Sequence, residues 1–247
     1  MQGLGDTRYR HLFSDRVGRG FHIYVSLPEG YEESNDAYPA LYVLDGGELF
    51  PMLVSYQRYL VSGKDIPPMI VIGISYGTDD FESGNFRSTD YTAPTTEREF
   101  WGGAENFRKF LSDELIPLIE TDYRSRVDRR IVFGHSLGGQ FVLYAAQTAP
   151  DLFWGAISSN PALHRNLEFF LQADPGVSVR RKPMLFVGNA TNDDARFLEP
   201  RARWVAEWSS RGEKPWLLRV EDLEGHSHMS APPAAYLQGM RWLFAAE

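Results

Sequence analysis

Apolar residues fall along this chain in two rhythms. Arg10 to Phe13 and Gly20 to Leu27 alternate with period two around a turn-prone Gly18-Arg19-Gly20, and this predicts an antiparallel hairpin. Four continuous apolar runs follow: Ala40 to Leu44, Met69 to Ile74, Arg130 to Phe133, and Met184 to Val187. Each is short, rich in branched or aromatic side chains and bounded by Pro, Gly or Asp, as strands buried on both faces are. Trp154 to Ser158 and Trp216 to Val220 are two weaker candidates. Between the runs the spacing changes to three and four. Phe107, Phe110, Leu111, Leu115, Leu118 and Ile119 predict a helix with one buried stripe, and Pro117 kinks or shortens its last turn. Further helices are predicted over 140–149, over about 199–211 ending near Gly212, and at the C-terminus through Tyr236, Leu237, Met240, Leu243 and Phe244. Strands alternating with helices in this way predict an α/β fold on a mostly parallel sheet. Neither a repeat nor a linker divides the chain, so residues 1–247 read as one domain.

Composition narrows the functional classes. The chain has 247 residues, 25 Lys+Arg against 33 Asp+Glu, and a formal net charge of −8. That balance argues against nucleic acid or an anionic membrane as the main partner. With no cysteine, disulfide scaffolds, thiolate metal sites and a cysteine nucleophile are excluded. No apolar run reaches the roughly 18 residues of a membrane helix. The start, Met1 to Asp6, lacks the charged and apolar regions of a signal peptide, so a cytoplasmic location is expected.

The chemistry lies in Gly134-His135-Ser136-Leu137-Gly138, which follows the run Ile131 to Phe133 and precedes the helical run from Gln140. Gly-x-Ser-x-Gly at a strand-to-helix turn is a nucleophile elbow. The turn strains the serine backbone, the glycines relieve crowding, and the helix aims its N-terminal dipole at a developing oxyanion. A serine hydroxyl is a weak nucleophile at neutral pH, so it needs a base, and the base needs an orienting acid. In this architecture the acid follows a late strand and the histidine follows the last one. Asp193 and Asp194 come after Met184 to Val187, and Asp193 is the favoured acid. His226 and His228 come after Trp216 to Val220, and both remain candidates for the base. His11, His22 and His164 have no such surroundings, and the acids and histidines as ordered require no metal or other cofactor.

These residues resemble the esterase family of the α/β-hydrolase superfamily, which takes in the esterase D type, feruloyl and acetyl-xylan esterases, siderophore (enterochelin) esterases and mycolyltransferases. The resemblance runs from about residue 20 to 245. Its landmarks are Leu27 to Tyr31, Tyr38 to Gly46, Asp90-Tyr91-Thr92, Phe107 to Pro117, Tyr123, the Ser136 elbow and Pro150 to Phe153. It implies an α/β-hydrolase fold with Ser136 as nucleophile. By the same resemblance the N–H groups of Gly47 and Leu137 form the oxyanion hole, and Asn192-Asp193 is similar to the acid loop of the feruloyl esterase branch. The end Gly225-His226-Ser227-His228-Met229-Ser230, followed by prolines, resembles the Gly-x-x-His-x-Ser branch and selects His228. His226 then becomes a pocket residue. Two features depart from the family pattern: Ser159-Asn160-Pro161 stands where many relatives carry Ser-Pro, and the acid loop lacks Gly-x-x-Glu.

The expected activity is therefore two-step ester hydrolysis through an acyl-enzyme, with Ser136, Asp193 and His228 as triad. The alternatives are acyl transfer on the same fold and a non-catalytic binding protein. Pocket walls are expected from segment 79–104, with Phe86, Arg87, Tyr91 and Trp101 contributing, and His135 lining the site; Arg87 is expected to pair with Asp90. The substrate is expected to be a small soluble ester of siderophore, feruloyl or acetyl type, and nothing in the sequence bears on oligomeric state.

Overall fold

The computed structural model describes residues 5–172 and 182–245. Met1 to Leu4, read above for a leader, lie outside the described residues. The elements run β1 (Thr7–Ser14), β2 (Arg19–Ser26), β3 (Tyr38–Val43), α1 (Leu49–Ser62), β4 (Ile70–Ser75), α2 (Arg87–Asp90), α3 (Ala104–Phe110), a π-helical turn (Leu111–Leu115), α4 (Ile116–Asp122), β5 (Ser125–His135), α5 (Leu137–Thr148), β6 (Gly155–Ser159), α6 (Leu167–Gln172), β7 (Met184–Asn192), α7 (Ala195–Ser210), β8 (Leu217–Ser227) and α8 (Ala231–Ala245). The strands form one eight-stranded sheet in the order β1-β2-β4-β3-β5-β6-β7-β8. The expected hairpin pairs β1 antiparallel with β2, and β2 joins β4 antiparallel; from β4 to β8 every pairing is parallel. This is the α/β-hydrolase architecture.

The continuous apolar runs bury both faces of the sheet. In β3, Ala40 and Tyr42 join one hydrophobic cluster while Leu41 and Val43 join another. Successive side chains of a strand point to opposite faces, so every position of such a run is a core position. The first cluster takes in Phe107, Phe110, Phe141, Trp204 and Trp208 from α3, α5 and α7. The second takes in Leu53, Tyr236, Met240 and Leu243 from α1 and α8.

Two helical features differ from the sequence expectation. The stripe through Phe107 and Ile119 is continuous, but a π-helical turn over Leu111–Leu115 precedes Pro117, which sits in the first turn of α4. The backbone stays helical through these junctions, so Pro117 removes one interior N–H, and the wider π turn makes room for its ring. Helix α7 begins at Ala195, earlier than expected, and carries Pro200 inside it. Among the described residues no helix is long and apolar enough to cross a membrane.

Candidate active site

Four strands end in the residues singled out above. Ser136 follows β5 directly, Asp193 follows β7, His228 follows β8, and Gly47 lies just beyond β3. In a parallel sheet these are C-terminal strand ends on one edge, where crevices between crossover loops form. A cavity of about 570 Å³ opens there, and Gly47, Arg87, His135, Ser136, Asp193 and His228 all line it.

The elbow is strained as its sequence requires. Ser136 has φ 57° and ψ −113°, and a non-glycine residue held there costs on the order of 1–3 kcal/mol. Its N–H donates to the Ser159 carbonyl at 2.9 Å, and its own carbonyl accepts from Gln140 N–H at 2.9 Å and Ala162 N–H at 3.0 Å. Backbone bonds thus hold the turn without using the hydroxyl. A Cβ on Gly134 would lie 2.3 Å from the Gly138 carbonyl oxygen, so any side chain at 134 would force the turn open. The Gly46 and Glu48 N–H groups donate to the Ile74 and Asp45 carbonyls. Neither the Gly47 nor the Leu137 N–H has a hydrogen-bond acceptor among the described residues.

Asp193 and Asp194 occupy different positions. Asp193 Oδ2 lies 2.9 Å from His228 Nδ1, and the Asp193 side chain is 3% exposed. Asp194 instead caps α7, its carboxylate accepting from Arg196 N–H at 2.9 Å. The His228 ring is clamped between Phe197, stacked at 4.3 Å and 28°, and His135 at 4.7 Å.

Four residues expected at the pocket, Phe86, Tyr91, Trp101 and His226, do not line this cavity. His226 is tied into its own turn, its Nδ1–H directed at the Ser230 carbonyl 3.1 Å away. Trp101 packs under the guanidinium groups of Arg165 at 4.4 Å and Arg98 at 5.2 Å. The expected Arg87–Asp90 pair is also replaced. Arg87 makes a two-pronged contact with Asp45, Nε to Oδ1 and Nη2 to Oδ2, both at 2.8 Å. Asp90 takes Arg19 at 2.9 and 2.8 Å and the Tyr76 hydroxyl at 3.0 Å. The Arg87 contact braces the loop carrying Gly47, in which Asp45 sits at φ 52°. Phe86 lies beneath the Arg19 guanidinium, and Tyr91 is fully buried with its hydroxyl accepting from Asp45 N–H.

His135 lines the cavity as a neutral group. Its Nδ1 lies 3.1 Å from the Ser159 hydroxyl. Burial first, and the neighbouring His228 second, pull its imidazole from the ordinary 6.5 down to about 3. Below pH 6.5 the unfolded chain therefore takes up a proton at this position that the folded chain refuses. Stability gained above pH 6.5 is lost as the pH falls toward 3, at up to about 1.4 kcal/mol per pH unit from one such group. His135→Gln should flatten the melting-temperature profile between pH 6.5 and 4, and an unchanged slope would assign the loss to other groups.

Three further residues complete the site. Phe197 and Asn160 contact His228, and Arg201 contacts Asp193. The sequence held one signal for Arg201: it falls on the stripe Phe197, Trp204, Trp208, a charged side chain at a helix position that faces the core.

The "Putative esterase" family description matches residues 14–229. The ferri-bacillibactin esterase BesA of Bacillus subtilis is 31% identical over 267 residues, spanning 96% of this chain and 89% of that protein. The apo-salmochelin esterase of Escherichia coli is 27% identical over 192 residues, spanning 72% of this chain and 59% of that protein. Among solved structures, an IroE-like serine hydrolase from Shewanella oneidensis superposes with a TM-score of 0.83 at 24% identity, over 97% of this chain and 80% of that one. The siderophore hydrolase EstA from Aspergillus nidulans gives 0.82 at 22% identity, over 98% and 95%. At such identities the structures speak for a shared fold.

Proposed function

The chain belongs to this esterase family, and from that premise we propose that it hydrolyses siderophore-type esters through an acyl-enzyme on Ser136, with His228 as base and Asp193 as its orienting acid. The contact between His228 Nδ1 and Asp193 Oδ2 at 2.9 Å carries this reading. It commits Nδ1 as the donor to a carboxylate, which fixes the tautomer and leaves Nε2 as the basic nitrogen in the cavity that Ser136 also lines.

The steps follow from those roles. Ser136 Oγ attacks the ester carbonyl carbon as His228 Nε2 takes the hydroxyl proton. The carbonyl oxygen becomes an oxyanion, and the N–H groups of Gly47 and Leu137 are the donors that receive it. Collapse breaks the bond to the alkoxy oxygen, and the imidazolium returns the proton to that leaving alcohol. Water then adds to the acyl-enzyme by the same route, its proton passing through His228, and releases the acid and free Ser136. The Asp193 carboxylate holds Nδ1 and stabilises the transient imidazolium.

Support for the substrate class comes from the relatives, several of which are named for siderophore esters. The cavity volume of about 570 Å³ is in the range for a small-molecule site. An ester panel containing bacillibactin- and salmochelin-type siderophores, feruloyl and acetyl sugars, and simple aryl esters tests it. The siderophore esters should give the highest kcat/KM; a higher value for the sugars would move the assignment to the feruloyl branch. Asp193→Asn should lower kcat by about 10²- to 10⁴-fold, because the amide favours the wrong tautomer. An effect within twofold would make the working unit a Ser–His pair.

A further inference from the structure

We propose that Arg201 is a positioning residue for the acid–imidazole pair, a buried guanidinium that fixes the Asp193 carboxylate and, with Asn160, ties the loops bearing Asp193 and His228 into one unit. The proposal rests on the reading of Ser136, His228 and Asp193 given above. Arg201 Nη2 lies 3.2 Å from Asp193 Oδ2, the same oxygen that meets His228 Nδ1 at 2.9 Å. Both side chains of this ion pair are 3% exposed.

The rest of the guanidinium is equally engaged. Nε donates to the Phe197 carbonyl at 2.9 Å, Nη2 also reaches the Ala190 carbonyl at 3.4 Å, and Nη1 donates to Asn160 Oδ1. Asn160 is fully buried with φ 45°. Its Oδ1 also accepts from Ala190 N–H at 2.6 Å, its Nδ2 donates to the His228 carbonyl at 3.4 Å, and its N–H donates to the Gly188 carbonyl at 2.8 Å. The two side chains therefore join the ends of β6, β7 and β8 to α7. One helical turn before Arg201, Phe197 stacks on the His228 ring. A single face of α7 thus bears on both members of the pair.

Stability alone does not call for this arrangement. The neighbouring positions on the stripe, Phe197, Trp204 and Trp208, are apolar and buried. A buried ion pair is often no more stabilising than apolar side chains of similar volume. What an arginine adds is a planar guanidinium whose other donors are tied to Phe197, Asn160 and Ala190, so that the nitrogen meeting Asp193 Oδ2 presents its charge from a fixed direction. Here it also gives that carboxylate a cationic partner away from solvent.

The charge leaves a signature a packing role would not produce. The groups around the pair are Arg201 and Arg196 on α7, Asp194 at its cap, His135 at the end of β5, His164 beyond β6 and Asp222 on β8. Removing a cation from this set makes it easier for the Asp193–His228 pair to bind its proton, whichever member holds it. The acid limb of the kcat/KM profile therefore moves to higher pH when Arg201 becomes neutral.

The test compares wild type, Arg201→Met, Asp193→Asn and the double variant Asp193→Asn/Arg201→Met on an aryl ester, with active sites counted by end-point fluorophosphonate labelling. Arg201→Met should lower kcat per labelled site by roughly 10- to 100-fold with KM within about twofold, and shift the acid limb upward. In the Asp193→Asn background the same substitution should cost less than about threefold, since residues acting as one unit are not additive. Equal losses in both backgrounds, or an unmoved acid limb, would overturn the proposal. Should Arg201→Met alone not fold, the two Asp193→Asn variants still decide it: equal kcat supports the unit and a further tenfold loss overturns it. Absence of labelling in wild type would instead overturn the serine reading itself.

Discussion

Ser136→Ala should abolish ester turnover, lowering kcat by about 10⁵- to 10⁶-fold, and should remove labelling by a fluorophosphonate probe. The physical basis is the elbow. Its backbone is held by the Ser159, Gln140 and Ala162 bonds, so deleting the hydroxyl removes the proposed nucleophile and leaves the turn as it was. The melting temperature should accordingly stay within a few degrees of wild type. A residual rate of about 10³- to 10⁴-fold over water is still expected, because the proposed oxyanion hole of Gly47 and Leu137 N–H groups would polarise a bound carbonyl without the serine. Intact labelling in Ser136→Ala would place the reactive hydroxyl elsewhere and remove the basis for the mechanism. The assay needs only a short-chain aryl ester and intact-mass measurement of the labelled chain.

The parts of this site that could be read from the chain are those whose signals are local. Gly134 to Gly138 carries its own geometry, since the glycine spacing and the flanking strand and helix all lie within about twenty residues. The buried strands were equally plain where side chains are apolar on both faces, as in Ala40 to Leu44 and Met69 to Ile74. Their polar ends were not. β7 continues through Thr191 and Asn192, and β8 through Gly225 to Ser227. These residues leave the core to carry the site, and a strand that has left the core loses its hydrophobic signature.

Helix α1, Leu49–Ser62, went unread for a related reason. Its buried residues Leu49, Phe50, Leu53, Val54, Gln57 and Leu60 have helical spacing, but Pro51 falls among them. In the first turn a proline costs no hydrogen bond, so the interruption is only apparent. Pairings between distant segments were beyond reach of any local pattern. Asp90 lies three residues from Arg87, yet it takes Arg19, and Arg87 takes Asp45. In each case the ion pair forms with a segment distant in the chain, Arg19 on β2 or Asp45 after β3, although the i,i+3 spacing on α2 would itself allow an Arg87–Asp90 pair. Asn160 in place of Ser-Pro was visible as a departure, and its meaning lies in three partners supplied by three other segments.

The two histidines after β8 give the sharpest contrast. His228→Ala should lower kcat by several orders of magnitude, close to the loss in Ser136→Ala, because nucleophile and base act as a unit. His226→Ala should leave kcat within about threefold. The two residues are two positions apart; chain order admits both, the family resemblance selects His228, and the geometry separates them on independent grounds. His228 Nδ1 faces the Asp193 carboxylate, its ring is stacked on Phe197, and it lines the cavity with Ser136. His226 directs Nδ1 into the Ser227–Ser230 turn and has no carboxylate partner among the described residues. An imidazole without an acid to fix its tautomer and stabilise its charged form is a poor base at neutral pH. Measurement of kcat and KM for both variants on one aryl ester, with sites counted by fluorophosphonate titration, distinguishes the roles. An inactive His226→Ala beside a near-normal His228→Ala would transfer the base to His226. The Asp193 contact would then need another purpose.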